Sequence, residues 1–446
     1  MGRATAEARV LEFAEALAVV LRHAAKVRVP EAERVSLAEA AGRVLAEDVA
    51  ADRDQPPFDR ATRDGFAVRA GEWTAGARLK VAGQVRAGEA WHAGEIPAAC
   101  AVEIMTGAPV PAGADAVAML EHAEQAGGKV WAAMGRSLAA GENIVKRGSE
   151  ARAGGIVLAP GTAMGAAEIA VAAACGRAEL AVRKRPSVAI GTTGDELVEL
   201  DQALGNHQIR NSNSYALAAL VEAAGGVAVR LKIARDTRED VRARIEEGRT
   251  ADLMLLSGGV SAGKYDLVEE VLAEFGAEFL FSGVRMQPGK PVVFGRMPRA
   301  EPSDTPTHVS EARRVTPASR DRSPGTPRGA PDSVEWTYFF GLPGNPVSTQ
   351  VTFHCFVEPL LRAMCGADVA GPKFVQATLA EEVRAKAGLT RILPARLTHD
   401  FARLEVRLVG WQGSGDLAAD ARANCYAVLP DGRDLHAGDV ITVLLR

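Results

Sequence analysis

Ser187-Val188-Ala189-Ile190-Gly191-Thr192-Thr193-Gly194-Asp195-Glu196 is an apolar run of strand length that breaks into a polar turn containing glycine. The pattern repeats downstream: strand-like 227–233 runs into Arg235-Asp236, and 252–256 into Ser257-Gly258-Gly259-Val260-Ser261. Helical periodicity fills the intervals, at 212–224, 237–248 and 266–275. Strands alternating with helices predict a parallel, doubly wound sheet with right-handed crossovers. Ligands of such sheets bind beyond the C-terminal ends of the strands, where these polar turns fall.

On either side the pattern changes. Val10, Leu11, Phe13, Leu17, Val20 and Leu21 recur at helical spacing and predict an amphipathic helix over 5–26. A second helix is expected over 164–174, stopped by Gly176. Between them, about 51–143 reads as short strands such as Leu79-Lys80-Val81-Ala82 and Ala116-Val117-Ala118-Met119, separated by Gly, Pro and Asp clusters. After about Gly371 short strands and turns return, as in a small β-barrel or sandwich. A chain of 446 residues exceeds what one core supports. The expected division is 1–50 with 145–184 as a helical and linker domain, 51–144 as an inserted β-rich lobe, 185–366 as the α/β domain, and 367–446 as a C-terminal β-barrel. Within the α/β domain, 299–334 is rich in Pro, Ser, Thr, Arg and Asp and reads as a disordered insertion at a hairpin tip.

Composition excludes several function classes. With 47% hydrophobic and 24% charged residues the chain is an ordinary globular one, and its net charge of −4 offers no general attraction to nucleic acid or to an acidic membrane. An anionic ligand would therefore need local positive potential. No apolar run reaches the roughly 18 residues of a membrane span, and the N-terminus lacks a signal-peptide pattern, so a cytoplasmic protein is expected. Five cysteines stand singly, without metal or redox spacing, and no histidine pair has metal-ligand spacing.

Chemistry is expected at the turns. Gly258 and Gly259 allow backbone N–H groups to face a phosphate or other oxyanion without an obstructing Cβ, although Gly-Gly also makes plain turns. In Leu342-Pro343-Gly344-Asn345-Pro346-Val347-Ser348, Asn345 suits a helix cap before Pro346, and the first-turn amides would favour an anion; a capped helix start and nothing more is the alternative. Glu196, Asp236 and Asp266 would bring carboxylates to one rim, and Mg²⁺ takes one or two carboxylates together with phosphate oxygens. Asp236 and Asp266 also sit where helices start, so helix punctuation explains each taken singly. Lys290, in Pro288-Gly289-Lys290-Pro291, would neutralise an oxyanion or remain a solvated charge; the segment is not a nucleotide-binding P-loop, because Pro291 stands where Ser or Thr is required.

These motifs, in this order, resemble those of the molybdopterin molybdenumtransferases known as MoeA, and of the gephyrin E domain. Asp64-Gly65-Phe66-Ala67 looks like the family's Asp-Gly-Tyr-Ala loop, and Met105-Thr106-Gly107-Ala108-Pro109 matches its Met-Thr-Gly-Ala-Pro stretch; Thr193-Gly194-Asp195-Glu196-Leu197, Ser257-Gly258-Gly259-Val260-Ser261, Pro288-Gly289-Lys290-Pro291 and Gly341 to Ser348 complete the set. The resemblance implies a MogA-like doubly wound domain and a homodimer whose active clefts combine that domain with the partner's β-rich lobe. It implies transfer of molybdate onto adenylyl-molybdopterin with Mg²⁺-dependent release of AMP. Glu196, Asp236 and Asp266 would then hold the metal, and Lys290 would face the anionic substrate. Thr193, Gly194, Asp195, Ser257, Gly258, Gly259, Ser261, Pro343, Gly344, Asn345, Pro346 and Ser348 would line the molybdopterin site, with Asp64 and Thr106 reaching in from the other subunit. Molybdopterin adenylyltransferase and molybdoenzyme delivery proteins are the implied partners. Arg63, Glu150, Asn211 and Gln287 depart from the family's usual Met, Asp, Asp and Lys. Gln287 removes a positive charge that Arg63 would replace. Two rivals stand beside this reading, a molybdopterin adenylyltransferase and a non-catalytic peptide-binding scaffold.

Overall fold

The computed structural model describes residues 9–133, 136–259, 267–300, 335–368, 371–384 and 386–446. Helix α1 (Phe13–Ala24) starts where the Glu12 amide donates to the Glu15 carboxylate at 3.2 Å. It is shorter than the apolar spacing suggests, because Leu11 is claimed by a strand-like bridge to Val284 and both its backbone groups are bonded there. Val19 and Val20 are buried in one core with Phe281, Phe294 and Phe356, so α1 packs on the α/β domain and not with 145–184, the segment it was grouped with on sequence. The reason is area: a helix with one apolar face joins whichever core covers that face.

Two compact units result, Arg34–Val182 and Met1–Glu33 with Arg183–Arg446. The first holds a six-stranded sheet of β1 (Gly65–Val68), β2 (Leu79–Val85), β3 (Cys100–Ile104), β4 (Ala116–Met119), β5 (Ala123–Ala126) and β6 (Lys129–Ala132), in the order β4-β1-β3-β2-β6-β5. Alternation supplies a core on each face: Ala67, Val102, Ile104 and Val117 on one, Phe66, Val68, Ala101 and Ala118 on the other. Helix α2 (Ala166–Ala174) closes a further core with Leu45, Val49, Leu180 and Val182, and Gly176 takes the left-handed conformation just past its end.

The second unit carries the alternating pattern. Strands β7 (Ser187–Thr192), β8 (Val227–Arg230), β9 (Leu253–Ser257), β10 (Glu278–Ser282), β11 (Val293–Pro298) and β12 (Trp336–Leu342) lie in the order β8-β7-β9-β12-β11-β10. The first four are parallel, but β11 pairs antiparallel with both β12 and β10, so the expected parallel sheet is a mixed one. The short link 283–292 joins β10 to β11 without a crossover helix, and so short a link is compatible only with antiparallel pairing. Along each central strand alternate residues face opposite cores. Val188, Ile190, Leu253, Leu255, Phe340 and Leu342 meet α1, α3 (Ser212–Ala223), α6 (Pro346–Thr352) and α7 (Glu358–Met364). Ala189, Met254, Leu256 and Phe339 meet α4 (Arg238–Gly248) and α5 (Leu267–Glu274). Helices on both faces make the sheet doubly wound, as expected. Of the expected insertion at 299–334 only Arg299 and Ala300 are among the described residues; the Arg299 amide donates to the Glu335 carbonyl at 2.8 Å, so the ends of the insertion are adjacent.

The C-terminal strands β13 (Phe374–Leu379), β14 (Thr390–His399), β15 (Leu404–Leu408), β16 (Cys425–Leu429) and β17 (Val440–Leu445) close into a five-stranded barrel through the pairing of β14 with β16. Inward residues such as Ala395, Val406, Ala427 and Val443 fill it. The five cysteines are free, and four of them are buried.

Phe294 is fully buried and stacks on Phe340 with centroids 4.5 Å apart. Truncation there leaves a cavity between the sheet and α1. Phe294→Ala is expected to lower the stability of this unit by about 3–5 kcal/mol, read as a lower urea midpoint with unchanged slope.

Candidate active site

Three adjacent parallel strands end on one rung, where Thr192 pairs with Ser257 and Ser257 with Leu342. The next residues, Thr193, Gly258 and Pro343, therefore start three loops side by side. Because β7 is flanked by β8 and β9, successive crossovers run in opposite directions from it, which opens a crevice at the strand ends. A cleft of about 1090 Å³ lies there, and it brings together Thr193, Gly194, Glu196, Asp236, Ser257, Gly258, Gly259, Pro343, Gly344, Asn345 and Pro346 of the residues expected from sequence.

The glycine pair meets a strict packing requirement. Gly258 and Gly259 both have left-handed φ, +92° and +66°, and a Cβ would lie 2.5 Å from the Thr193 carbonyl oxygen at Gly258 and 2.7 Å from Thr193 Oγ1 at Gly259. Side chains there would fill the space beside Thr193. Thr193 is 5% exposed and its hydroxyl has no hydrogen-bond partner among the described residues. A dry, unpaired hydroxyl at a cleft wall is costly unless a ligand or water completes it. Only part of the expected amide array is free, however, since the Gly258 N–H donates to the Leu342 carbonyl at 3.3 Å.

The second loop also differs from its expected form. Pro346 does open α6, but Asn345 does not cap it: its Nδ2 donates to Ser414 Oγ at 2.8 Å, while the Ser414 carbonyl accepts the Val347 amide at 3.0 Å. Ser414 thus occupies part of the helix start that was expected to greet an anion. Ser348 is buried beneath, where its carbonyl accepts from Thr352 Oγ1 at 2.8 Å, and it does not line the cleft.

At the mouth, the Asp236 amide donates to Asp195 Oδ1 at 3.3 Å. Partial burial holds the Asp236 carboxyl above its ordinary pKa, reinforced by the charges of Asp195 and Glu196 against the lowering effect of the Asp195 amide. Thr237, which caps α4 by accepting from the Asp240 amide at 3.3 Å, does the work of helix punctuation and leaves the Asp236 carboxylate to the cleft. Asp195 itself lines a neighbouring pocket of about 590 Å³ on the far side of its loop. No group of three His, Cys, Asp or Glu side chains at metal-binding geometry occurs among the described residues. Asp266 and Ser261 lie outside the described residues. Lys290 is exposed beside Pro291, which lines the cleft.

Asn211, Ser212 and Asn213, at the start of α3, line the same cleft and were missed as site residues. Their signal in the sequence is only that of a helix cap. Asn211 does cap α3, accepting from the Ser214 amide at 3.2 Å, and donates to Thr192 Oγ1 at 3.0 Å. The Gln287 amide oxygen accepts from Lys386 Nζ at 3.1 Å, so a lysine from the barrel domain stands beside the position that lacks one.

In the other unit, Asp64 and Thr106 meet: Asp64 Oδ1 accepts the Thr106 amide at 2.6 Å. A Cβ at Gly65 would overlap the Ala118 carbonyl, which explains the glycine after Asp64. Arg60 pairs with Glu150 at 2.9 Å, and Arg63 donates to the Thr62 carbonyl at 3.2 Å. The Thr106 amide, then its hydroxyl, hold the Asp64 carboxyl below the usual carboxylate range. A depressed folded-state pKa means that the Asp64 contacts stabilise fully above the unfolded value and are lost as pH falls through the folded one. In a carboxyl-detected NMR titration Asp64 is expected to titrate below a free aspartate, and Thr106→Ala to raise its midpoint part of the way, since the backbone donor remains.

Comparison with known proteins places the chain. Residues 11–176 match the family model described as MoeA N-terminal region (domain I and II), 189–363 that of a probable molybdopterin binding domain, and 376–445 that of MoeA C-terminal region (domain IV). The chain is 32% identical over 423 residues to a molybdopterin molybdenumtransferase of Staphylococcus aureus (strain COL), covering 92% of this chain and 90% of that one. It is 31% identical over 419 residues to the enzyme of the same name from Staphylococcus epidermidis (strain ATCC 12228), with the same coverage. Among solved structures, a molybdopterin biosynthesis MoeA protein of Pyrococcus horikoshii OT3 superposes with a TM-score of 0.72 at 26% identity, over 98% of this chain and 100% of that one. The chain belongs to the MoeA family of molybdopterin molybdenumtransferases.

Proposed function

We propose that this protein inserts molybdenum into molybdopterin in the cytoplasm, taking molybdate and adenylyl-molybdopterin as substrates and releasing AMP in a Mg²⁺-dependent step. The observation that carries this reading is the convergence of Thr193, Gly258, Gly259 and Gly344 with the carboxylates of Glu196 and Asp236 in one cleft at the ends of parallel strands. A phosphorylated pterin needs close backbone approach at its phosphates, and glycine permits it where any side chain would stand in the way. The unpaired Thr193 hydroxyl is a ready donor to a phosphate oxygen.

The donor set suits Mg²⁺: two carboxylates with no cationic partner among the described residues, one of them disfavoured as an anion by partial burial and by its acidic neighbours, match an ion that takes one or two carboxylates and completes its shell with phosphate oxygens and water. Glu196 and Asp236 would hold the ion, with Asp266 joining them. Bound there, Mg²⁺ would supply positive charge to offset that of the phosphates and of the leaving adenylyl group. Lys290 supplies a fixed positive charge for the molybdate, and Lys386, oriented by Gln287, supports a second. Two anions repel, so cations and backbone donors held in place are what let them share a cleft. Asn211 keeps the cap that an aspartate would provide while removing a negative charge from the cleft floor.

The protein acts as a homodimer in this reading, with Asp64 and Thr106 offered to the partner's cleft as one rigid pair, since the Asp64 carboxylate is already aligned by the Thr106 amide. Molybdopterin adenylyltransferase would supply the substrate, and delivery proteins would take the product to molybdoenzymes.

Purified protein given adenylyl-molybdopterin, Mg²⁺ and molybdate should release AMP. Asp236→Asn should cut the rate by about a hundred-fold and raise the Mg²⁺ needed for half-maximal rate by at least about ten-fold. Absence of AMP from the parent protein would sink the assignment in favour of a binding scaffold.

A further inference from the structure

Asn213, the second residue of α3, is the only residue among those described whose side chain donates to both glycine loops of the cleft. Its Nδ2 gives one proton to Ser257 Oγ at 2.9 Å and the other to the Gly344 carbonyl at 2.8 Å, spanning 44 and 131 residues of sequence. A backbone carbonyl only accepts, so the bond to Gly344 fixes which way the amide faces: NH₂ toward the loops, Oδ1 away from them. Both protons of Nδ2 are spent, and Ser257 is only 2% exposed, so water cannot readily replace the bond it loses.

We infer that Asn213 is a positioning residue that sets the separation of the Ser257-Gly258-Gly259 turn from the Pro343-Gly344-Asn345 loop, so that one ligand engages both. The loops are otherwise tied directly by the long Gly258 to Leu342 bond of 3.3 Å and approach closely enough that a Cβ added at Gly344 would lie 3.6 Å from Gly258 Cα. A single long bond does not resist shear as two divergent hydrogen bonds from one planar amide do. The amide is itself anchored, because the preceding Asn211 caps α3 and bonds to Thr192 at the end of β7. All three strand ends are thereby linked through the first turn of α3. The effect on the ligand is on binding and not on bond cleavage, since Asn213 holds walls and not reacting groups.

This inference rests on the cleft being the substrate site proposed above, and the test separates the two. Asn213→Asp keeps the volume but replaces both donors by acceptors facing the Gly344 carbonyl; Asn213→Ala removes the bridge without that repulsion. Hydrogen exchange on the free protein should show the amides of Gly258, Gly259, Gly344 and Asn345 exchanging at least about ten-fold faster in both variants, with α4 unchanged as internal reference. In AMP-release assays KM for adenylyl-molybdopterin should rise about ten-fold or more with kcat within about three-fold, the mark of lost uniform binding. A residue that merely fills space would leave Asn213→Asp at parental values. Unchanged exchange at both loops, or an unchanged KM in a variant whose loops have loosened, overturns the inference. If the parent shows no turnover, the functional reading fails, and the exchange measurement still decides whether Asn213 is the bridge.

Discussion

The pairing of Thr192 with Ser257 and of Ser257 with Leu342 puts three strand ends level with one another, and the chemistry of the protein depends on that single rung. Parallel strands in register release their loops at the same height, so residues far apart in sequence meet without any loop having to be long. The rung is held by the two cores beneath it, each filled by alternate residues of the same strands. A slip of one residue in β9 would turn Met254 and Leu256 toward the wrong core and carry Gly258 away from Thr193. Positioning at the cleft is thus a consequence of packing several ångströms below.

The cleft is assembled from groups that are costly when left alone. An unpaired Thr193 hydroxyl and an Asp236 carboxyl disfavoured as an anion by partial burial and by the charges of Asp195 and Glu196 each oppose the folded state slightly. Their common location makes sense if a ligand with phosphate oxygens and a cation relieves both at once, since interactions that are unfavourable in the free protein become binding energy. Asn213 and Asn211 oppose the resulting tendency of the loops to spread, by tying them to the first turn of a helix that is itself packed in the core.

Much of the fold was readable in residues 187–275, because strand and helix periods differ and the helices there carry clear caps. The helix starts at Ser212 and Arg238 fall within a residue of the expected 212 and 237. The antiparallel pairing of β11 with β12 was readable from the hairpin expected around 299–334, whereas that of β11 with β10 was not, since an apolar strand looks the same in either direction. Nor was the allegiance of α1, whose apolar stripe is compatible with any neighbouring core. Among the site residues, glycines and carboxylates announce themselves by type, whereas Asn213 and Ser414 carry no such mark.

Sequence alone determined the alternating α/β core, the β-rich lobe and the terminal barrel, the family motifs, and the residue types that a phosphate-bearing ligand and a metal would require. These follow from local periodicity, backbone permissiveness and charge, which are properties of neighbours along the chain. Only the tertiary structure decided that the Gly258 amide is already spent on Leu342, that Asn345 serves Ser414 and not its helix, that Ser348 is buried, and that Asn213 spans two loops. A hydrogen-bonding group takes whichever partner the fold brings within about 3 Å, and that distance depends on how whole strands and helices pack, which no short stretch of sequence contains.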